Sequence, residues 1–132
     1  AGKKTYVFVD EMHLFFDSEN AAEYLISQWK RCRKYGGAYT GITQNVTDML
    51  RSYKAQQLIA NSEFLILLNQ AGEDREKLAE ILRISENEMK FISNREKGHG
   101  LLKVGASFVP FEDKYPSDTK LYRLMTTAPG EY

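Results

Sequence analysis

Two acids stand side by side directly after an apolar run: Tyr6-Val7-Phe8-Val9-Asp10-Glu11. Adjacent carboxylates at a strand end suit metal-assisted phosphoryl transfer, where the first acid helps hold Mg²⁺ and its neighbour orients the attacking water. A third polar residue joins them from further along the chain. Gln44 follows the strand-like stretch Ala38-Tyr39-Thr40-Gly41-Ile42-Thr43. Its carboxamide both donates and accepts, so it can sense a phosphate oxygen or the water itself. Plainer roles are open to all three: Asp10 capping the following turn, Glu11 a solvated acid, Gln44 a helix cap or a loop bond.

For these side chains to meet, the elements beneath them must end at one edge. The apolar residues at 6–9 predict a short strand buried on both faces, as in the centre of a parallel sheet covered by helices. Ligands of such sheets bind just beyond the carboxyl ends of the strands. Side chains alternate along a strand, so both acids reach the site only if the strand ends at or near Asp10. Next, Asp17 or Ser18 is a helix N-cap, with Glu19 and Glu23 near the start. Ala22, Leu25, Ile26, Trp29, Cys32 and Arg33 share one face, and Gly36-Gly37 ends the helix. Trp29 lies on the apolar stripe and is expected in the core. The cations Lys30, Arg31, Arg33 and Lys34 match the helix dipole, with a partner's acidic surface or a nucleic-acid strand as the alternative. Strand, helix and strand make a βαβ unit with a right-handed crossover, which puts Gln44 beside the acids.

Thr47 through Ala60 predicts helix with a break near Ser52-Tyr53, burying Met49, Leu50, Leu58 and Ile59. Phe64-Leu65-Ile66-Leu67-Leu68 is a third apolar strand, giving a mainly parallel three-strand core. Glu73 to Leu82 is helical, and Ser85 with Glu88 forms a capping box for a short helix to about Ile92. The stretches either side of Gly105 predict a β hairpin, with Pro110 at an edge. Lys114 to Lys120 is a polar loop, Leu121 to Met125 a last strand or turn, and Thr126 onward a tail.

The chain has 132 residues, 42% of them hydrophobic, enough for one domain over 1–132 with a real core. Its 18 basic and 18 acidic residues balance, so bulk charge gives no case for nucleic acid or an anionic membrane. Cys32 is the only cysteine, which excludes an internal disulfide and fits a reducing compartment. No stretch approaches the roughly 20 apolar residues of a membrane span, and the N-terminus has no apolar signal region. The chain opens a few residues before a buried strand, which predicts a piece of a longer protein.

The stretch 6–11 resembles the Walker B strand of RecA-like, additional-strand NTPases. Asp10-Glu11-Met12-His13 also resembles the Asp-Glu-x-His box of superfamily-two helicases, but a helicase would carry Ser-Ala-Thr on the next strand where this chain has Thr40-Gly41-Ile42-Thr43-Gln44-Asn45. A strand ending in Thr-Gln resembles the glutamine sensor of conjugative and DNA-pumping ATPases. The ordered set continues through Asn61-Ser62-Glu63-Phe64, Gly98-His99-Gly100-Leu101-Leu102 and Val109-Pro110-Phe111. It is similar to the type IV secretion energising ATPases of the VirB-four/TraE/TraC group, the Gram-positive conjugative-transposon branch in particular. One departure dominates: no Gly-x-x-x-x-Gly-Lys-Ser/Thr phosphate loop occurs anywhere.

The resemblance therefore implies an α/β fold, a RecA-like P-loop NTPase fragment with a mainly parallel sheet flanked by helices and a C-terminal β hairpin. It would be the C-terminal part of the ATPase domain, with the phosphate loop (Walker A) upstream. The intact protein would hydrolyse ATP with Mg²⁺, while this fragment alone is expected inactive. By the same resemblance Asp10 binds Mg²⁺ mainly through water, Glu11 activates water and Gln44 senses the γ-phosphate. Gly98 and Gly100 lie near the nucleotide base, and Arg75 or Arg95 acts on a neighbouring subunit. It further implies a hexamer-like ring, membrane-bound conjugation-channel partners, possible contact with DNA, and a cytoplasmic location at the inner face of the bacterial cell membrane. The competing expectation is a non-catalytic interaction or oligomerisation module with a degenerate NTPase fold. A helicase half comes third, since it would need a second RecA-like domain downstream.

Overall fold

The computed structural model describes residues 3–44, 46–93 and 96–126. Strand β1 (Thr5–Val9) and strand β2 (Gly37–Gly41) pair in parallel, in register from Thr5 opposite Gly37 to Val9 opposite Gly41. Between them run a 3₁₀ turn (Met12–Asp17), helix α1 (Glu19–Arg31) and a second 3₁₀ turn (Cys32–Tyr35) closed by left-handed Gly36. The expected strand–helix–strand unit is thus present. Ala22 and Leu25 of α1 are buried, and Trp29 packs on Tyr39 of β2 with ring centroids 5.9 Å apart. Trp29 is a core residue, as its place on the stripe predicted. Lys30, Arg31, Arg33 and Lys34 are all exposed near the C-terminus of α1.

Helices α2 (Val46–Arg51) and α3 (Tyr53–Ala60) break at Ser52, whose hydroxyl accepts the Ala55 N–H as the cap of α3. Lys54 sits between Glu19 and Glu23, at 3.1 and 2.8 Å, and ties α3 to α1. Helix α4 (Gly72–Leu82) follows strand β3 (Phe64–Leu67). Helix α5 (Glu86–Met89) opens with the complete capping box of Ser85 and Glu88. Strands β4 (His99–Val104) and β5 (Ser107–Glu112) form the C-terminal hairpin, and Pro110 lies on the edge strand β5. One apolar core joins these parts. It includes Met12 and Leu25 below the parallel pair, Met49, Leu50, Leu58 and Ile59 from α2 and α3, and Leu67, Leu78, Leu82, Ile92 and Leu101 beyond.

The fold class holds, but three details differ from expectation. First, β3 does not extend the parallel pair. It pairs antiparallel with β4, Leu67 opposite Leu101, in a separate sheet of order β3-β4-β5. The hairpin offers β3 a partner whose inward residues match its own, since Leu67 and Leu101 are both buried. Second, neither β1 nor β3 is covered on both faces. Tyr6 and Phe8 are 65% and 69% exposed, Phe64 and Ile66 66% and 67%. In each sheet the core occupies one face only, so an apolar run that looks doubly buried alternates between covered and open. Third, Leu121 to Met125 belongs to helix α6 (Lys120–Met125), because the Thr119 hydroxyl accepts the Tyr122 N–H and starts a helical turn.

Candidate functional site

Parallel pairing puts the carboxyl ends of β1 and β2 side by side, and two backbone bonds carry the contact past the strands. Ile42 N–H donates to Val9 O at 2.8 Å, and Met12 N–H donates to Ile42 O at 2.9 Å. Asp10 and Glu11 fill the short excursion between these rungs. Met12, only 4% exposed, anchors its far side in the core. It lies against Gly41, where any Cβ would run into the Met12 thioether.

Glu11 makes this turn in the left-handed conformation, φ 48° and ψ 45°. Its N–H donates to Asp10 Oδ1 at 2.9 Å, and its carbonyl accepts Leu14 N–H at 3.0 Å to start the 3₁₀ turn. Asp10 therefore does cap its own turn. Its side chain is exposed and its second oxygen has no partner among the described residues.

The left-handed turn brings the Glu11 side chain back toward residue 13. Glu11 Oε2 lies 3.3 Å from His13 Nδ1, and the same nitrogen lies 3.1 Å from Thr43 Oγ1. Thr43 follows β2 and immediately precedes Gln44, so one imidazole touches both strand ends. Gln44 is exposed, and its side chain makes no hydrogen bond among the described residues. Just beyond it, Thr47 on α2 donates to the Asp74 carboxylate on α4, fastening the element after Gln44 to the start of that helix.

The remaining candidates lie apart. Arg75 is half-buried in the first turn of α4, next to Asp74, and forms no ion pair among the described residues. Arg95 lies outside the described residues, as does Asn45. Gly98 and Gly100 stand at the start of β4, where Leu101 faces the end of β3. Their residue type has a local cause. Gly98 adopts φ 87°, and a Cβ on Gly100 would lie 2.6 Å from Leu67 O and from the Phe111 ring.

Charged side chains brace the Gly98 segment. Lys114 Nζ is 3.1 Å from Glu96 and 3.4 Å from Glu112, and His99 Nε2 is 3.5 Å from Glu112. The Lys114 ammonium holds the Glu96 carboxyl below the usual carboxylate range by hydrogen bonding and by charge. Asp113 N–H closes the segment onto Gly98 O at 2.7 Å. Two open depressions, of about 320 Å³ around Phe16, Asp48 and Arg51 and about 340 Å³ around Ile26, Lys30 and Lys54, border none of the candidate residues.

Chemically, the strand-end cluster offers one free carboxylate oxygen for a hydrated cation, a second carboxylate 3.3 Å from an imidazole, and an unengaged carboxamide. No group of three or more potential metal ligands occurs among the described residues. That donor set fits Mg²⁺, which keeps most of its waters and is held by one or two carboxylates together with phosphates. Sequence reasoning placed His13 in a helicase-like box and Thr43 in the sensor stretch but did not bring the two together with Glu11. The available signal was the placement of His13 two residues after the second acid. No helix among the described residues is long and apolar enough to cross a membrane.

The sequence matches the family model of the TraG P-loop domain over residues 1–120. Among solved structures the chain is similar to that of VirB4 of Thermoanaerobacter pseudethanolicus, with a TM-score of 0.80 and 29% identity. The match covers 87% of this chain and 32% of that one, so the chain spans about a third of that protein's length. No curated protein matches it.

Proposed function

The chain belongs to the TraG P-loop domain family, and on that premise we propose that it is the C-terminal part of a RecA-like ATPase domain that powers conjugative DNA transfer or type IV secretion. The observation that carries the proposal is the shared edge, where parallel strands in register end in Asp10-Glu11 and in Thr43-Gln44. The likeness to VirB4 over most of the chain supports the choice among nucleotide-driven motors. In this reading β1 is the Walker B strand, of the conjugative-transposon branch. The phosphate loop, absent from these residues, is supplied upstream in the same domain.

When bound, Mg²⁺-ATP supplies the phosphoryl group and the cation that offsets its charge. Asp10 would hold the hydrated cation. Glu11 orients the attacking water and accepts its proton. Gln44 reports the state of the γ-phosphate to α2, and through the Thr47–Asp74 bond to α4. Gly98 and Gly100 border the base, and Arg75 or Arg95 reaches a neighbouring copy. The working form is a hexamer-like ring in the cytoplasm, docked on membrane-bound channel proteins at the inner face of the bacterial membrane and able to contact DNA.

Two substitutions in the intact protein test this, with mant-ATP binding measured beside phosphate release. Asp10→Asn should weaken Mg²⁺-dependent binding as well as turnover, because it removes the charge facing the cation. Gln44→Ala should leave binding within about twofold and cut turnover by roughly tenfold or more, the pattern of an interaction made only in the transition state. If both variants release phosphate at the wild-type rate, the domain is a non-catalytic module with a degenerate NTPase fold.

A further inference from the structure

We propose that His13 is the positioning residue of this site, holding the Glu11 carboxylate against Thr43 so that the acid after β1 and the Gln44 segment after β2 act as one unit. The inference deepens the reading above and rests on the roles given there to Glu11 and Gln44.

A carboxylate only accepts hydrogen bonds, so the imidazole holds Glu11 in the form whose Nδ1 carries a proton. His13 Nδ1, 3.3 Å from Glu11 Oε2 and 3.1 Å from Thr43 Oγ1, stands between the two oxygens. The imidazole is the fixed member of the set. Its side chain is 15% exposed against 43% for Glu11, and it follows Met12, which is locked in the core under Gly41. The acid, by contrast, sits on a left-handed turn and has no other side-chain bond among the described residues. Without the imidazole, no other side chain among the described residues holds its carboxylate in one rotamer. Thr43 is covalently next to Gln44, so any shift of Gln44 toward or away from a phosphate moves Thr43 and, through His13, the carboxylate. A histidine that served only the core would have no reason to meet both strand ends through one nitrogen.

The test uses the intact ATPase and follows steady-state hydrolysis by His13→Ala, His13→Asn, Thr43→Val, Glu11→Gln and the double variant His13→Ala/Glu11→Gln. His13→Ala should lower kcat by about tenfold or more, the loss expected for a hydrogen bond to a charged group, with KM for ATP within about twofold. His13→Asn, whose amide donates from near the Nδ1 position, should recover most of that loss. Thr43→Val should lower kcat by a smaller factor. Because His13 acts through Glu11, the double variant should be no slower than Glu11→Gln alone.

A wild-type kcat in His13→Ala overturns the proposal while leaving the proposed function intact, provided Glu11→Gln is impaired. A double variant slower than Glu11→Gln by the full His13→Ala factor also overturns it. A His13→Asn variant that folds but stays at the His13→Ala level does the same. Should His13→Ala fail to fold, Thr43→Val and His13→Asn carry the test, and Thr43→Val at wild-type kcat counts against the link. If Glu11→Gln itself is unimpaired, the proposed function fails first and the inference falls with it.

Discussion

Glu11 and Arg83 are the two non-glycine residues with positive φ among those described. Such a conformation costs about 1–3 kcal/mol and persists where its surroundings over-determine it. At Glu11 the surroundings are explicit: the Asp10 carboxylate on its N–H, Leu14 on its carbonyl, and buried Met12 pulling the next residue inward. Arg83 is the C-cap of α4 and needs no further role. The glycines at the start of β4 are a different case, because their residue type follows from packing whatever their part in nucleotide binding. Gly100→Ala should destabilise the chain by about 1–3 kcal/mol, since neither the Leu67 carbonyl nor the Phe111 ring can retreat cheaply. Urea unfolding measures this, and an unchanged midpoint would show that the strands separate there at little cost.

Elements whose start or break is decided locally were legible from residues alone. The Ser85–Glu88 capping box and the break at Ser52 each rest on a side chain bonding its own turn, which sequence spacing reveals. Pairing between distant segments was not legible in the same way. The match of β1 to β2 followed from the strand–helix–strand pattern, whereas the choice of β4 as partner for β3 depends on residues some 35 positions apart in register, such as Leu67 and Leu101. Helix α6 was hidden by an apolar run that suits a strand equally well, with the deciding cap at Thr119 just outside it. At the strand ends, the placement of Asp10, Glu11 and Gln44 was legible, because they follow the strands of the parallel pair. His13 was not, because its contact depends on a left-handed backbone at Glu11 that no glycine advertises.

Some charge pairs tie two elements, as Lys54 ties α3 to α1. The Glu96–Lys114 pair joins the start of β4 to the chain after β5 and is open to solvent, so its effect is small and screened by salt. The sign follows from the direction of the shift. Glu96 is held below its ordinary value of 4.5, so the pair stabilises above that value and is lost as pH falls through the depressed one. Lys114 is shifted upward, so on the alkaline side the pair persists beyond the ordinary lysine range. Carboxyl NMR of Glu96 should therefore show a midpoint below the ordinary one that rises toward it in Lys114→Ala. An identical midpoint in that variant would mean the two side chains do not meet in solution.

Each of the two sheets has a covered face and an open one. The core lies on one side of both sheets, while Tyr6, Phe8, Phe64 and Ile66 stand open on the other, and β2 and β3 are both edge strands. The chain spans about a third of the VirB4 structure it resembles, and the proposed function assigns the phosphate loop to residues outside it. Whether the end of β1 does chemistry in the intact protein is read from phosphate release by its Glu11→Gln variant. This change keeps the size and most of the hydrogen bonding of the side chain but removes the base. Turnover should fall by about 10²–10⁴-fold with ATP binding preserved, the usual effect of losing a general base. Phosphate release at the wild-type rate would make Glu11 a surface acid and contradict the account.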